Sequence, residues 1–237
     1  MTIGIVAALP GEARALARLR ARGTARLADG SLLALSGLGH ERASATARTL
    51  VDAGVGRLIS WGSAAALLPA LAPGDLMLPE TIVAGNGQRL SCDTALIEAF
   101  AARFDAGVRI RYGALAQAPN VLANVAAKQF LHERTQAAAA DMESAAIARV
   151  AAEAGIGFMA IRAIADDATM ILPPAAHAAV NDDGALRPWA MLRALAGRPR
   201  TTHAQLRALK QLAVAFKAAQ NTLAVAAGHL IDSEKAA

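Results

Sequence analysis

Three acidic residues of the chain each follow a short apolar run that is typical of a buried β-strand. The acids and the runs before them are Glu12 after residues 3–9, Glu143 after residues 137–140 and Asp166 after residues 158–164. In open α/β sheets, ligands bind beyond the carboxyl ends of the strands. We therefore expect the three carboxyl groups to meet at one pocket, although they are far apart in the sequence. This convergence predicts an enzyme.

Small residues and one cation accompany these acids. Gly62 and Ser63 follow the strand-like residues 57–61, and we expect that strand to end there, where glycine lets the backbone approach a ligand closely. Gly39 closes a turn after another apolar run, and Arg162 lies inside the last one. Glycine turns, a serine and an arginine can bind an anion through charge-assisted hydrogen bonds.

The elements that must position these residues alternate along the chain. Alternating strand-like and helix-like patterns predict an α/β fold with a largely parallel sheet. Besides the runs at 3–9, 57–61 and 158–164, the predicted strands lie at 31–36, 75–79 and 108–117. The predicted helices begin at Pro10 and at residues 41, 94 and 144, and the last three reach residues 53, 104 and 154.

Length and composition favour one domain over residues 1–237 with a sizeable core. The hydrophobic content of 55% is rich in alanine, and polar residues interrupt the most apolar stretch, so we expect neither a membrane span nor a signal peptide. Cys92 has no second cysteine to pair with, which is consistent with a reducing cytoplasm. The sequence therefore predicts a cytoplasmic protein.

The positive charge is concentrated near the C-terminus. The net charge is +5, yet residues 184–231 contain no Asp or Glu and carry seven Lys or Arg. We expect a basic helical extension there. Its apolar residues recur at helical spacing, so the helix either packs on the domain or lies on the inner face of an anionic membrane.

Two other classes of site are not predicted. The five histidines show no metal-ligand spacing, and we expect neither a metal nor a cofactor. With 3% aromatic residues and no recognition motif, nucleic-acid binding is not expected either.

Several short motifs, taken in their order, resemble one enzyme family. They are IGIVAALPGE at 3–12, SGLG at 36–39, WGSA at 61–64, PGD at 73–75, DMESAAI at 141–147 and IRAIAD at 161–166. This series resembles the purine and uridine nucleoside phosphorylases together with the methylthioadenosine/S-adenosylhomocysteine nucleosidases. The resemblance implies a three-layer fold, with a central mixed, largely parallel sheet flanked by helices, and cleavage of an N-glycosidic bond. It also implies a homo-oligomer.

The resemblance implies roles for two of the acids. Asp166 matches the family position that serves the N7 edge of the purine, where a carboxylic acid can protonate the leaving base. Glu143 matches the position that accepts hydrogen bonds from the ribose hydroxyls, with Met142 against the ribose face. Each acid also has a simpler interpretation: Asp166 as a helix N-cap, and Glu143 as a first-turn residue that complements the helix dipole.

The sequence does not decide which group attacks the sugar. In the nucleosidases, the residues matching Glu12, Ser63 and Arg162 hold a water that the glutamate activates. In the phosphorylases, such a site with Gly39 and neighbouring amides binds phosphate, which Glu12 would repel. Glu12 could also be a solvated first-turn acid, and Arg162 a salt-bridge partner within the sheet.

The opening residues 8–14 and the basic tail are most similar to the hopanoid-associated branch of the family. That likeness implies phosphorolytic release of adenine from adenosylhopane, a lipid nucleoside, with phosphate as co-substrate. Two alternatives stay open. One is a hydrolytic nucleosidase of the methylthioadenosine/S-adenosylhomocysteine or futalosine type, and the other is a nucleoside- or lipid-binding protein without catalysis.

Overall fold

The computed structural model describes residues 2–19, 23–105, 107–172 and 202–231. The strands are β1 Ile3–Ala7, β2 Thr24–Arg26, β3 Leu32–Leu35, β4 Arg57–Ala66, β5 Leu76–Met77, β6 Thr81–Val83, β7 Arg89–Ser91, β8 Ile110–Arg111, β9 Ala114–Gln117, β10 Ala139–Asp141 and β11 Gly157–Asp166. The helices are α1 Pro10–Ala13, α2 His40–Asp52, α3 Thr94–Ala101, α4 Val125–Thr135, α5 Ser144–Ala154 and α6 Thr202–Ile231.

All eleven strands of the described residues belong to one mixed sheet. Its main path runs β2-β3-β1-β4-β10-β9-β6-β7, and β11 branches from β4 to reach β5 and β8. Six of the pairings are parallel, including those of β1 with β3 and β4 and of β11 with β4. The other four are antiparallel. The predicted α/β class with a mixed, largely parallel sheet flanked by helices is confirmed.

Strands β4 and β11 form the centre of the core. They pair in parallel along almost their whole length, and seven of the ten residues of β4 and nine of those of β11 are buried. The prediction that β4 ends at Gly62 was wrong. Gly62 and Ser63 continue the ladder opposite Arg162 and Ala163, because β11 extends beside them and satisfies their backbone groups.

Other boundaries differ for local reasons. The predicted strand at 108–117 is two strands, separated at Gly113, whose φ of 121° departs from the extended conformation. Helix α1 has only four residues. Helix α4 was not predicted, because its apolar residues do not recur on one face. It begins after Asn124, whose side chain accepts a hydrogen bond from the amide of Ala127 (2.9 Å).

The C-terminal helix α6 packs along β11 with small residues. Its buried side is lined by Ala215, Ala219, Leu223, Ala226, Ala227 and Leu230. Thr222 also donates a hydrogen bond to the carbonyl of Gly74 (2.7 Å). The predicted basic extension lies partly outside the described residues, from 184 to 201. Among the helices of the described ranges, none is both long and apolar enough to cross a bilayer.

Candidate active site

The three acids singled out from the sequence line one cavity of about 180 Å³. Glu12 reaches it from α1, Glu143 from the start of α5, and Asp166 from the end of β11. Ser63 on β4 and Met142 line it as well. We call this space the acid cavity. All three acids are buried, with at most 8% of their surface exposed.

Glu12 is held from several sides by the chain around it. Its Oε1 accepts hydrogen bonds from the Ser63 hydroxyl (2.6 Å) and the Ser63 amide (2.9 Å). Its Oε2 accepts one from the Leu9 amide (3.1 Å), so the glutamate closes the first turn of α1. Burial raises the pKa of Glu12, and the bonds from Ser63 and the charge of Arg162 oppose that rise. Glu12 is therefore not the solvated first-turn acid of the simpler interpretation.

Gly62 leaves the space in which the Glu12 carboxyl group lies. A Cβ atom at Gly62 would stand 2.9 Å from Oε2 of Glu12 and 3.0 Å from its Oε1. Real Cβ contacts are longer than this, so any larger residue would displace the carboxyl group. The glycine thus permits close approach to a side chain of the protein itself.

A second, smaller space shares Glu12, Ser63 and Glu143 with the acid cavity. It is bordered by Glu12, Ser63, Glu143, Arg162 and Ser60, among others, and its volume is about 10 Å³. That is roughly the minimum volume in which one water molecule fits. We call it the inner cavity.

Glu143 is the residue before the first turn of α5. Its side chain makes no capping bond to its own helix, and its Oε1 instead accepts a hydrogen bond from the amide of Gly39 (2.8 Å). Burial, together with the charges of Asp141 and Glu12, raises the pKa of Glu143 to about 7. Met142, directly before it, is half-buried.

Arg162 is engaged in a buried network. Its guanidinium forms an ion pair with Asp141 (Nη2 to Oδ2, 2.7 Å) and donates to the hydroxyls of Ser60 and Ser144 (2.5 and 2.9 Å). Asp141 in turn accepts a hydrogen bond from the amide of Ser144 (3.2 Å) at the start of α5. The salt-bridge interpretation of Arg162 fits this geometry, and the network joins β4, β10, α5 and β11.

Asp166 is the last residue of β11, where the register shifts after Ile164. One of its carboxylate oxygens accepts a hydrogen bond from the ammonium group of Lys128 on α4. Burial raises the pKa of Asp166, and Lys128 opposes that rise. No helix of the described residues begins at Asp166, so the helix N-cap interpretation does not apply there. The carboxyl group instead borders the acid cavity and the Lys128 ammonium group.

Sequence reasoning missed two members of the site. Lys128 lies in helix α4, which carries no motif, and only its complete burial distinguishes it from a surface lysine. Asp141 was part of a recognised motif, but no pattern indicated that it pairs with Arg162. The segment between β9 and α4 also lines the acid cavity, through Ala118, Asn120, Val121 and Leu122.

Comparison with a family model extends over most of the chain. The model of the phosphorylase superfamily matches residues 2–194. Among curated proteins, the search found no match.

Solved structures share the fold. A 5′-methylthioadenosine/S-adenosylhomocysteine nucleosidase from Neisseria meningitidis, in complex with methylthio-immucillin-A, is 20% identical and has a TM-score of 0.70, with 98% of this chain and 99% of that chain covered. Futalosine hydrolase of Helicobacter pylori is 18% identical at a TM-score of 0.69, with 98% of each chain covered. An S-adenosylhomocysteine nucleosidase from Streptococcus pyogenes is 24% identical at a TM-score of 0.62, over 71% of this chain and 84% of that one.

Proposed function

Because the chain belongs to the phosphorylase superfamily, we propose that it is an enzyme that cleaves the N-glycosidic bond of a purine nucleoside, with water as the nucleophile. The position of Glu12 is the observation that favours water over phosphate as the nucleophile. Its carboxyl group accepts both hydrogen bonds that Ser63 can donate, in the place where a phosphorylase would hold phosphate.

The other donors considered for phosphate are also engaged. Gly39 donates its amide to Glu143, and Arg162 is paired with Asp141. A phosphate ion would have to displace these carboxylates or lie beside them, and like charges at such distances repel strongly in a buried site. The inner cavity, at about 10 Å³, fits a water molecule far better than a phosphate.

Glu12 is suited to accept a proton from that water. Burial raises its pKa, which makes the carboxylate a stronger base than an exposed glutamate. As the water oxygen forms its bond to C1′ of the sugar, one water proton passes to Glu12. The C1′–N9 bond breaks, and its electron pair goes to the departing purine.

The remaining acids stabilise the two halves of the breaking bond. Asp166, whose pKa is raised by burial, gives its proton to N7 of the purine, so that the base leaves as a neutral molecule. Glu143, as a carboxylate, accepts hydrogen bonds from the ribose hydroxyls and stabilises the positive charge of the oxocarbenium-like sugar, with Met142 against the ribose face. The reaction ends with a free sugar, a neutral purine, a protonated Glu12 and an ionised Asp166.

A second candidate is release of adenine from adenosylhopane, by phosphorolysis as the resemblance implies. The observation that favours a bulky apolar 5′ substituent is the lining of the acid cavity. Leu9, Leu38, Leu122 and Leu172 line it, and Val121 beside them is 47% exposed. This lining is compatible with either water or phosphate as the nucleophile. The identity of the 5′ substituent therefore does not determine the nucleophile.

Adenine release from methylthioadenosine, S-adenosylhomocysteine and adenosylhopane, each with and without phosphate, tests these assignments. We expect release at the same rate in both buffers, and an Asp166→Asn variant that keeps its fold but has almost no turnover. Release that requires phosphate would establish phosphorolysis instead. Binding of the nucleosides without any release would show a protein that uses the fold only for binding.

A further inference from the structure

We propose that Lys128 is a positioning residue that holds the Asp166 carboxyl group against the base and stabilises the carboxylate left when Asp166 gives up its proton. This inference rests on the proposed function and deepens it. It concerns a residue on α4, an element that carries none of the motifs described above.

The geometry around Lys128 is that of a buried, paired cation. No part of its surface is exposed, although lysine is among the residues least often buried completely. Its ammonium group donates to a carboxylate oxygen of Asp166 and to the backbone carbonyl of Asp167. A buried cation is tolerated when it is paired and hydrogen-bonded, so Asp166 and Lys128 depend on each other.

Asp166 lies between Lys128 and the acid cavity, and this position bears on catalysis. Asp166 also lines the acid cavity, so its carboxyl group has the cation of α4 as a neighbour and the substrate space before it. The charged groups around it are Lys128, the neighbouring Asp167, and the acids Glu12, Glu143 and Asp141 that share the cavity, of which Asp141 is paired with Arg162. Lys128 is the cation bonded to Asp166 among the described residues.

This arrangement makes Asp166 a stronger acid than burial alone would leave it. A buried carboxyl group without a cation holds its proton tightly and gives it up poorly. An ammonium group beside it stabilises the ionised form, so the proton is released more easily when the purine departs with excess electron density. After the reaction, the carboxylate is paired rather than isolated.

Three substitutions separate charge from hydrogen bonding and from packing. Lys128→Arg keeps the charge, Lys128→Gln keeps a donor without charge, and Lys128→Met keeps much of the volume. Gln129→Met is the matched control, since Gln129 is the exposed neighbour on the same helix. Melting temperatures establish which variants are folded. If Lys128→Met does not fold, Lys128→Gln alone tests the loss of the charge.

Two readouts test the proposal. The first is the pH profile of kcat for adenine release. The second does not depend on catalysis: ¹³C NMR of protein labelled at aspartate carboxyl groups follows the titration of Asp166, identified by the signal missing in Asp166→Asn.

In Lys128→Gln and Lys128→Met we expect the Asp166 titration to move upward by about one pH unit or more, since loss of a nearby opposite charge raises a carboxyl pKa by about 1–3. We expect kcat to fall at least about tenfold while the alkaline limb of its pH profile moves in the same direction. Lys128→Arg should keep both features near those of the wild type.

A titration of Asp166 that is unchanged in the folded Lys128→Gln variant would overturn the proposal. So would a loss of kcat with an unmoved alkaline limb, which is the result expected if Lys128 only holds α4 in place. If the wild type releases no adenine but the NMR titration moves as described, the proposed function fails while the control of Asp166 by Lys128 stands.

Discussion

At the scale of single residues, the raised pKa of Glu143 couples stability to pH. Below its ordinary pKa of 4.5 the glutamate is protonated in both the folded and unfolded chain, and above about 7 it is ionised in both. Between these values only the folded chain keeps the proton, so rising pH favours unfolding. The contribution lost over this window is on the order of 3 kcal/mol.

We therefore expect Glu143→Gln to remove this pH dependence. The free energy of unfolding of the wild type should fall relative to the variant as pH rises from about 4.5 to about 7, as urea titrations at several pH values would measure. Glu98→Gln, at an exposed position, controls for the loss of one carboxyl group. A difference between wild type and Glu143→Gln that is the same at every pH would contradict the assigned pKa.

Gly62 makes a second residue-scale prediction. Gly62→Ala places a methyl group 2.9 Å from the Glu12 carboxyl group, which then has to leave its position beside Ser63. Since a displacement of about 1 Å in a catalytic group can cost about 100-fold in rate, we expect kcat to fall by about that factor. Gly228→Ala, with open space around it, is the control and should retain the wild-type rate. Full activity in Gly62→Ala would mean that the position of Glu12 does not matter.

At the scale of elements, the Asp141–Arg162 pair joins β10 to β11, and Asp141 also binds the Ser144 amide at the start of α5. Asp141→Ala leaves a buried guanidinium without its counter-charge, and we expect a loss of about 3–5 kcal/mol in the free energy of unfolding. The double variant Asp141→Ala/Arg162→Met removes both charges and should recover part of that loss. Urea denaturation measures both; a double variant no more stable than Asp141→Ala would show that the charge pair is not the cause.

The secondary-structure elements differ in how well they could be predicted from the sequence. Apolar runs that alternate with helical patterns identify the central strands, because strands buried on both faces of a sheet must be apolar. The end of β4 could not be predicted, since its last residues are ordered by pairing with β11 and β10, more than seventy positions later. Helix α4 could not be predicted either, because it lacks an apolar face and its key residue is a buried lysine.

The same limit applies to the site. The apolar runs before Glu12, Glu143 and Asp166 predicted that these acids share a pocket, because the strand ends of an α/β sheet converge. Which donor pairs with which acid depends on side-chain packing across distant segments. The partners of Ser63 and Arg162, which bear on the choice between phosphate and water, became visible only in the structure.

At the scale of the whole molecule, the homo-oligomer and the membrane contact stay predictions. Helix α6 packs its row of small residues on the domain, so a membrane contact would have to use its other side, where Arg207, Lys210 and Lys217 are exposed. For the oligomer, light scattering after size-exclusion chromatography should give a mass that is a multiple of the 24.2 kDa chain. A mass of one chain at micromolar concentration would contradict the homo-oligomer.

The central claim is that a water held at Glu12 attacks the sugar, and the sugar product tests it most directly. In phosphate buffer with a nucleoside that is turned over, ³¹P NMR detects any sugar 1-phosphate, ¹H NMR detects the free sugar, and absorbance follows adenine. We predict that adenine accumulates with free sugar and no sugar 1-phosphate, and that Glu12→Gln stops both. A sugar 1-phosphate signal that rises in step with adenine would contradict the account.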